Sequence, residues 1–576
     1  MTTTATALPA TGTGTGTPPS APARPGPPPT GPSRTAIPPS TPGPADAPSS
    51  TPVPAGVSSS GAGPVDASSS GTAPSRVRRV GAPSPGPARR TVGAEAGGSP
   101  RGGRGGRPVP GAVSRRGPLP AGAEAAYDVV VVGAGVVGCA VARALARHPL
   151  RVALVDAADD VGEGTSKANT AILHTGFDAS PGTLEAGLVR TGHRLLTAYA
   201  AETGIPVEPV GALLVAWDEE QRAALPGLAA KAARNGHRAT RLLGPDELRH
   251  REPRLGPGAL GALSVPGESV ICPWSTPLAY ASQAVLNGTD LHLGCRVTSV
   301  GTPGPGAPHR LTTTRGTLTA RHLVNACGLY ADRFDALLGV ADSTVTPRRG
   351  QLLVHGRAAR DLVRHILLPV PGPLGKGVLV APTVYGNVLV GPTAEDLDDR
   401  TATGTTADGL AGLRERGARI VPGLADEEVT AVYAGLRAAT GREDYRCAAH
   451  PALRYVTVGG IRSTGLSASL ALAEHVLGLL AECGLRAGPE RPLAPVRMPD
   501  PRAARPDRDP ARRAVVCHCE HVTRGALLAA LASPVPPAGP GGLRRRTRAG
   551  AGDCQGTHCG AAVRALLEEH GKDGRR

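Results

Sequence analysis

Four of the ten cysteines stand as two close pairs near the C-terminal end: Cys517-x-Cys519 in "VVCHCEHV" and, after thirty-four intervening residues, Cys554-x4-Cys559 in "GDCQGTHC". Four thiolates so placed can hold either a tetrahedral zinc or a 2Fe-2S cluster. The other six cysteines, at 139, 272, 295, 327, 447 and 483, stand singly, which suits a reducing compartment and gives the expectation of a cytoplasmic protein. Elsewhere, His174 in "ILHTGF" has an imidazole able to exchange a proton at neutral pH. Arg437 in "AGLRAAT" offers a guanidinium fork suited to a carboxylate or phosphate. Arg462 and Arg349 are weaker candidates for a second cation.

Chemistry of this kind needs elements that hold it, and the first is "AYDVVVVGAGVVGCAVARALARHPLRVALVD". Tyr127 to Val132 is a continuous β-branched run, as in a strand buried on both faces. A helix follows from about Val136, and "RVALVD" is the next strand. Between strand and helix stand Gly133, Gly135 and Gly138, which allow a tight turn, close approach of backbone to a pyrophosphate and close helix packing. Asp156, ending the second strand, can accept hydrogen bonds from a ribose, which favours FAD or NAD over NADP. "HLVNACG" stops at Gly328, where backbone can approach a ligand. "VGGIRSTGLSAS", with Gly460 and Gly465, is a second glycine-rich turn leading into a long apolar helix, whose N-terminus suits negative charge. Two such turns fit one long cofactor that spans both.

From "GEGTSKANTAILHTGFDASPGTLEAGL" onward the chain resembles the D-amino-acid-oxidase-like FAD superfamily, which includes glycerol-3-phosphate dehydrogenases and L-2-hydroxyglutarate oxidases. "VICPW", "LVNACGLYADR", "TPRRGQLLV", "VLVGPTAEDL", "YAGLRAAT" and "VGGIRSTGLSAS" match in order. The resemblance implies FAD as cofactor, with Thr165, Ser166 and Asn169 on a loop reaching its phosphates and passing its ring. It implies His174 as a catalytic or flavin-flanking base, against a histidine merely hydrogen-bonded within the FAD site. It also implies Arg437 as the grip on an anionic substrate, against an ordinary salt-bridged arginine. One departure is the turn "GGIRSTGLSAS", where respiratory glycerol-3-phosphate dehydrogenases carry "GGK"; the segment after His174 matches the hydroxyglutarate branch better. The C-terminal cysteines resemble the bacterioferritin-associated-ferredoxin-like domain, which implies a 2Fe-2S cluster on Cys517, Cys519, Cys554 and Cys559.

The expected fold class is α/β: a Rossmann-like FAD-binding domain with an antiparallel-sheet substrate domain, a small helical 2Fe-2S module and a disordered N-terminal extension. Residues 1–126 read as that extension, rich in Pro, Gly, Ser and Thr. Residues 127–484 read as the FAD-dependent oxidoreductase domain, 485–512 as a Pro/Arg linker and 513–571 as the cluster module. The net charge of +16 resides in the ends: residues 1–126 hold twelve arginines against four acids, and 490–576 hold sixteen basic residues against nine acids. A near-neutral body excludes a duplex-binding face. The arginines of "RRRTR", 544–548, are expected to balance the cluster's charge or dock an acidic redox partner. No run of eighteen apolar residues and no apolar leader appears, so no transmembrane segment is expected, peripheral membrane association remaining open. The expected activity is dehydrogenation of a small anionic hydroxy substrate, with electrons leaving through the cluster to an external protein or quinone. An amine oxidase using O2, or a non-catalytic redox sensor, are the alternatives.

Overall fold

The β-branched run at the start of the oxidoreductase domain forms the centre of a nine-stranded sheet in the computed structural model. The structure describes residues 110–573 apart from 116–118, 120–125, 302–303, 305, 373–376 and 502–507. Strand β1 (Ala126–Val132) lies parallel to β2 (Val152–Val155), which lies parallel to β3 (Asp290–His292). On its other side β1 pairs in parallel with β4 (Gly316–Asn325), whose last residues pair with Tyr455–Gly459. Alternate side chains of β1 feed different cores. Val129 and Val131 pack with helices α1 (Val136–Leu145) and α2 (Gly465–Glu482), while Val130 and Val132 pack with Phe334 and Tyr455. A strand with apolar neighbours on both faces has no polar alternation to show. The apolar length of α2 has the same cause: most of its residues are buried in the fold.

The second nine-stranded sheet is antiparallel except where Ile366–Pro369 runs parallel to Ala212–Val215. Its longest pairing joins β5 (Thr346–His355) to β6 (Val429–Ala439) and sets Arg348 opposite Arg437. The C-terminal module has a short hairpin (Val515–Cys517 with Val522–Thr523) and three helices, Arg524–Leu531, Pro540–Thr547 and Gly560–Asp573. Leu527, Leu531, Leu543, Val563 and Leu566 form its separate core.

Two boundaries move. Most of the proposed extension, 1–109, lies outside the described residues, but Val113–Ser114 add an edge strand to β3 and Leu119 is buried. The extension therefore ends earlier than residue 126. The first part of the proposed linker is a strap on the oxidoreductase domain: Arg491 N donates to Arg147 O at 2.7 Å and Met498 N to Thr203 O at 2.7 Å, with Val496 and Met498 buried. Neither segment has a period, because each takes its backbone partners from distant elements.

Candidate active site and cluster site

Gly133, at φ +107°, packs so tightly that a Cβ would meet Ala326 O at 2.3 Å. A Cβ on Gly138 would meet Gly133 O at 1.8 Å. These contacts bring the first turn of α1 against the strand ends, and Gly133, Gly135, Val136 and Val137 line a cavity of about 1570 Å³. That exceeds the roughly 300–1,000 Å³ of a drug-sized site, so it has room for a dinucleotide and a small substrate. Asp156 reaches it from the end of β2. Its carboxylate accepts from Ala134 N at 2.5 Å and Ala158 N at 2.7 Å, and burial raises its pKa. The helix N-terminus, glycine turn and acid fit the diphosphate and ribose of FAD.

The loop after Asp156 is fastened at both ends. Ser166 Oγ accepts from Val136 N at 2.9 Å. Thr165 Oγ1 donates to Leu436 O at 2.6 Å, and Tyr433 donates its hydroxyl hydrogen to Asn169 O at 3.0 Å. Asn169 itself folds back, with its Oδ1 accepting from Ala171 N at 2.7 Å. Gly435 permits the contact with β6, since a Cβ there would meet Ala168 O at 2.1 Å. The cofactor loop thus lies against the strand that carries Arg437. Gly328 (φ +55°) and Gly465 also line the cavity, whereas Gly138 and Gly460 lie off its lining and shape its turns.

His174 projects into the same cavity. Its Nδ1 meets Glu268 Oε2 at 3.0 Å, and its backbone N–H donates to Ser467 Oγ at 2.7 Å. Glu268 is fully buried and accepts from Thr175 N and Thr175 Oγ1 at 2.7 and 2.8 Å through its other oxygen. An ionised carboxylate only accepts, so Nδ1 is the donor to Glu268 and Nε2 is the ring nitrogen outside that bond. Glu268 escaped the sequence reading because "PGES" looks like any turn; nothing local marks its glutamate as buried.

Arg437 lies half-buried on the cavity wall. Nη2 donates to Thr393 O at 2.8 Å, and burial together with the charge of Arg348 lowers its pKa. Arg348 is neutralised bidentately by Asp396 at 2.6 and 2.8 Å; Arg437 has no carboxylate within ion-pair distance among the described residues. Arg462 is at the rim, tied to Glu443 O. Arg349 is removed from the candidates: it is buried in a pair with Glu395 and does not line the cavity.

The FAD dependent oxidoreductase (DAO) family matches residues 128–479, which contain every one of these groups. The chain belongs to that family. The BFD-like [2Fe-2S] binding domain matches residues 515–569 of the oxidoreductase. A glycerol 3-phosphate dehydrogenase of Caloramator mitchellensis is 34% identical over 451 residues, covering 77% of this chain and 94% of its own. An L-2-hydroxyglutarate dehydrogenase of Indibacter alkaliphilus is 28% identical, over 46% of this chain and 68% of its own. The FAD-bound structure of L-alpha-glycerophosphate oxidase from Mycoplasma pneumoniae superposes with a TM-score of 0.60 at 29% identity, covering 64% of this chain and 97% of that one. The oxidoreductase is accordingly a flavoenzyme related to glycerol-3-phosphate and hydroxy-acid dehydrogenases, and it carries a 2Fe-2S domain.

The four module cysteines fit a cluster. Their thiols act on one another electrostatically: Cys519 feels Cys554 and Cys517, and Cys559 feels Cys517 and Cys554, as thiols gathered for one four-thiolate centre would. Gly550 N points at Cys517 Sγ at 3.5 Å, and backbone N–H groups of Gly556, Thr557 and His558 lower the pKa of the Cys554 thiol. Cys559 directly precedes the helix Gly560–Asp573, whereas Cys517 ends the first hairpin strand and Cys519 lies in the turn, ahead of the helix Arg524–Leu531. Cys554→Ser is expected to abolish most iron binding while FAD content stays unchanged; iron analysis beside the visible spectrum checks it. Unchanged iron would remove Cys554 from the ligand set.

Three arginines of "RRRTR" pair with carboxylates of this chain. Arg546 pairs bidentately with Asp160 at 2.6 and 2.8 Å, and Arg545 pairs with Asp160 and Glu163. Arg548 holds Glu520 at 2.7 and 2.9 Å. Their partners belong to this chain.

Proposed function

We propose that the oxidoreductase dehydrogenates a small secondary alcohol bearing an anionic group, glycerol 3-phosphate first and 2-hydroxy acids next. Electrons then leave through the cluster to a separate one-electron acceptor, a protein or a quinone. The observation that carries the reading is one cavity holding both an oriented His174–Glu268 pair and Arg437, which has no ion-pair partner among the described residues. Coverage supports the electron route. The 77% matched by the glycerol 3-phosphate dehydrogenase is long enough to include both domains, whereas the 64% matched by the oxidase is little more than the flavin domain.

His174 Nε2 accepts the substrate hydroxyl proton, and Glu268 stabilises the imidazolium that forms. Loss of that proton pushes electron density onto the carbon, whose hydrogen departs with its bonding pair and leaves a ketone. FAD, when bound, supplies the acceptor for that hydride. Arg437 fixes the anionic end and so orients the reacting carbon.

Anaerobic titration with glycerol 3-phosphate, L-2-hydroxyglutarate, lactate and amino acids tests the reading. Bleaching of the flavin by glycerol 3-phosphate or a hydroxy acid, followed by cluster reduction, is expected. Bleaching by amino acids alone would replace the substrate class. Arg437→Met is expected to raise KM by about ten- to a hundredfold, the loss of one charged hydrogen-bonded contact, with kcat changed less. An unchanged KM would place the anion elsewhere.

A further inference from the structure

We infer that the cluster module is clamped to the flavin-binding loop by a buried electrostatic dock, and that this dock positions a Trp274–Tyr385–Arg548 contact as the passage for electrons between the two cofactor sites. The inference rests on the reading that electrons leave through the cluster.

Asp160 and Glu163 lie between Asp156 and Thr165, on the segment that joins the ribose acid to the cofactor loop. Asp160 is 1% exposed, and its partner Arg546 is also buried. Burial opposes its ionisation, yet hydrogen bonding and charge from Arg546, with the charge of Arg545, hold its carboxyl below the ordinary range. A module that swung away would cost this carboxylate its charge-assisted hydrogen bonds to Arg545 and Arg546 at each excursion, which is unfavourable. Buried pairs add little net stability, but they fix register.

A second contact lies beside the cluster. Glu520, next in sequence to Cys519, accepts from Arg548 and also from Arg357 of the oxidoreductase domain at 2.6 Å. The Arg548 guanidinium lies 4.2 Å over the Tyr385 ring. Tyr385 stacks on Trp274 with centroids 6.0 Å apart and planes 14° apart. Trp274 Nε1 donates to Lys167 O at 3.1 Å, on the loop whose Thr165, Ser166, Ala168 and Asn169 line the cavity. Packed groups therefore run without a break from the cavity wall to the residue adjoining a cluster ligand.

The electron pair taken from substrate would leave the reduced flavin in two steps. Each oxidises the flavin by one electron and reduces one ferric ion of the cluster to ferrous; the flavin's proton goes to solvent, and the one-electron acceptor reoxidises the cluster between steps. The passage is packed medium, and no side chain is itself oxidised.

The test is a charge swap in the full chain, with FAD and iron content measured for every variant. Arg546→Asp and Asp160→Arg are compared singly and together, and Arg548→Met is made separately. The flavin is reduced by a light-driven donor, so the outcome does not depend on the substrate assignment, and cluster reduction is followed by electron paramagnetic resonance. Expected is at least about a tenfold slower electron transfer from flavin to cluster in each single variant, and substantial recovery in the double swap, since a displaced reaction partner loses rate steeply. If the single variants lose iron, recovery of iron and transfer together in the double swap supports the dock. Wild-type transfer rates in Arg546→Asp and Arg548→Met, or a double swap no better than its parents, would overturn it. Failure of every substrate to bleach the wild-type flavin would sink the proposed function and leave this experiment readable.

Discussion

His174→Asn is expected to slow substrate-driven flavin reduction by about 10²–10⁴-fold while FAD stays bound, the range for loss of a positioned general base. Asparagine can still donate to Glu268, so the buried carboxylate keeps a partner and the fold is spared. Glu268→Gln should act through the same atom. A glutamine that donates to Nδ1 places the imidazole hydrogen on Nε2, facing the substrate with a donor where an acceptor is needed. Both variants can be read in single-turnover anaerobic mixing. If reduction stays fast while FAD content drops, His174 serves the cofactor site and is not the base.

Gly138→Ala is expected to weaken FAD retention by about thirtyfold, corresponding to about 2 kcal/mol of overpacking at the strand–helix junction. The added methyl meets Gly133 O at 1.8 Å and Ala326 Cβ at 3.3 Å. Neither neighbour is a flexible side-chain end, so the first turn of α1 must move away from the phosphate-binding position. Gly187→Ala is the control. That glycine lies within the helix Leu184–Thr203 with nothing inside 4 Å of an added Cβ, and the change should be neutral or stabilising by up to about 1 kcal/mol. FAD content after gel filtration, beside thermal unfolding, separates the two; equal retention would mean the junction relaxes without cost.

The parts legible in the sequence share a property: their chemistry is written in consecutive residues. The glycine turn at 133–138, the acid at 156, the turn at 460–465 and the paired cysteines each announce themselves over a few positions, because a tight turn or a chelate demands particular residue types at fixed spacing. The hydrogen bonds that fasten Thr165 to Leu436 and Tyr433 to Asn169 span more than 260 residues, so no local pattern could show that the cofactor loop lies against the strand of Arg437. Glu268 is of the same kind. Its carboxylate is separated by 94 residues from His174, and only the fold makes them one hydrogen-bonded pair.

Charge gave the plainest divergence. A run such as Arg544–Arg548 specifies a strong positive field but not its direction, and a field next to a cluster suggests an outside partner. The helix Pro540–Thr547 turns Arg545 and Arg546 onto Asp160 and Glu163 of the same chain. Arg349 and Arg437 make the same point on two paired strands: one is neutralised by Glu395, the other has no ion-pair partner among the described residues. Residue types and their spacing determined by themselves that this protein would bind a dinucleotide and a thiolate-held metal centre, and the resemblance of whole segments made these FAD and a 2Fe-2S cluster, since those ligands are gripped by contiguous motifs. Which imidazole is oriented, which guanidinium lacks an ion-pair partner among the described residues and which way the cluster module faces were decided only by tertiary structure, because each depends on a counter-charge or hydrogen-bond partner brought from a distant part of the chain.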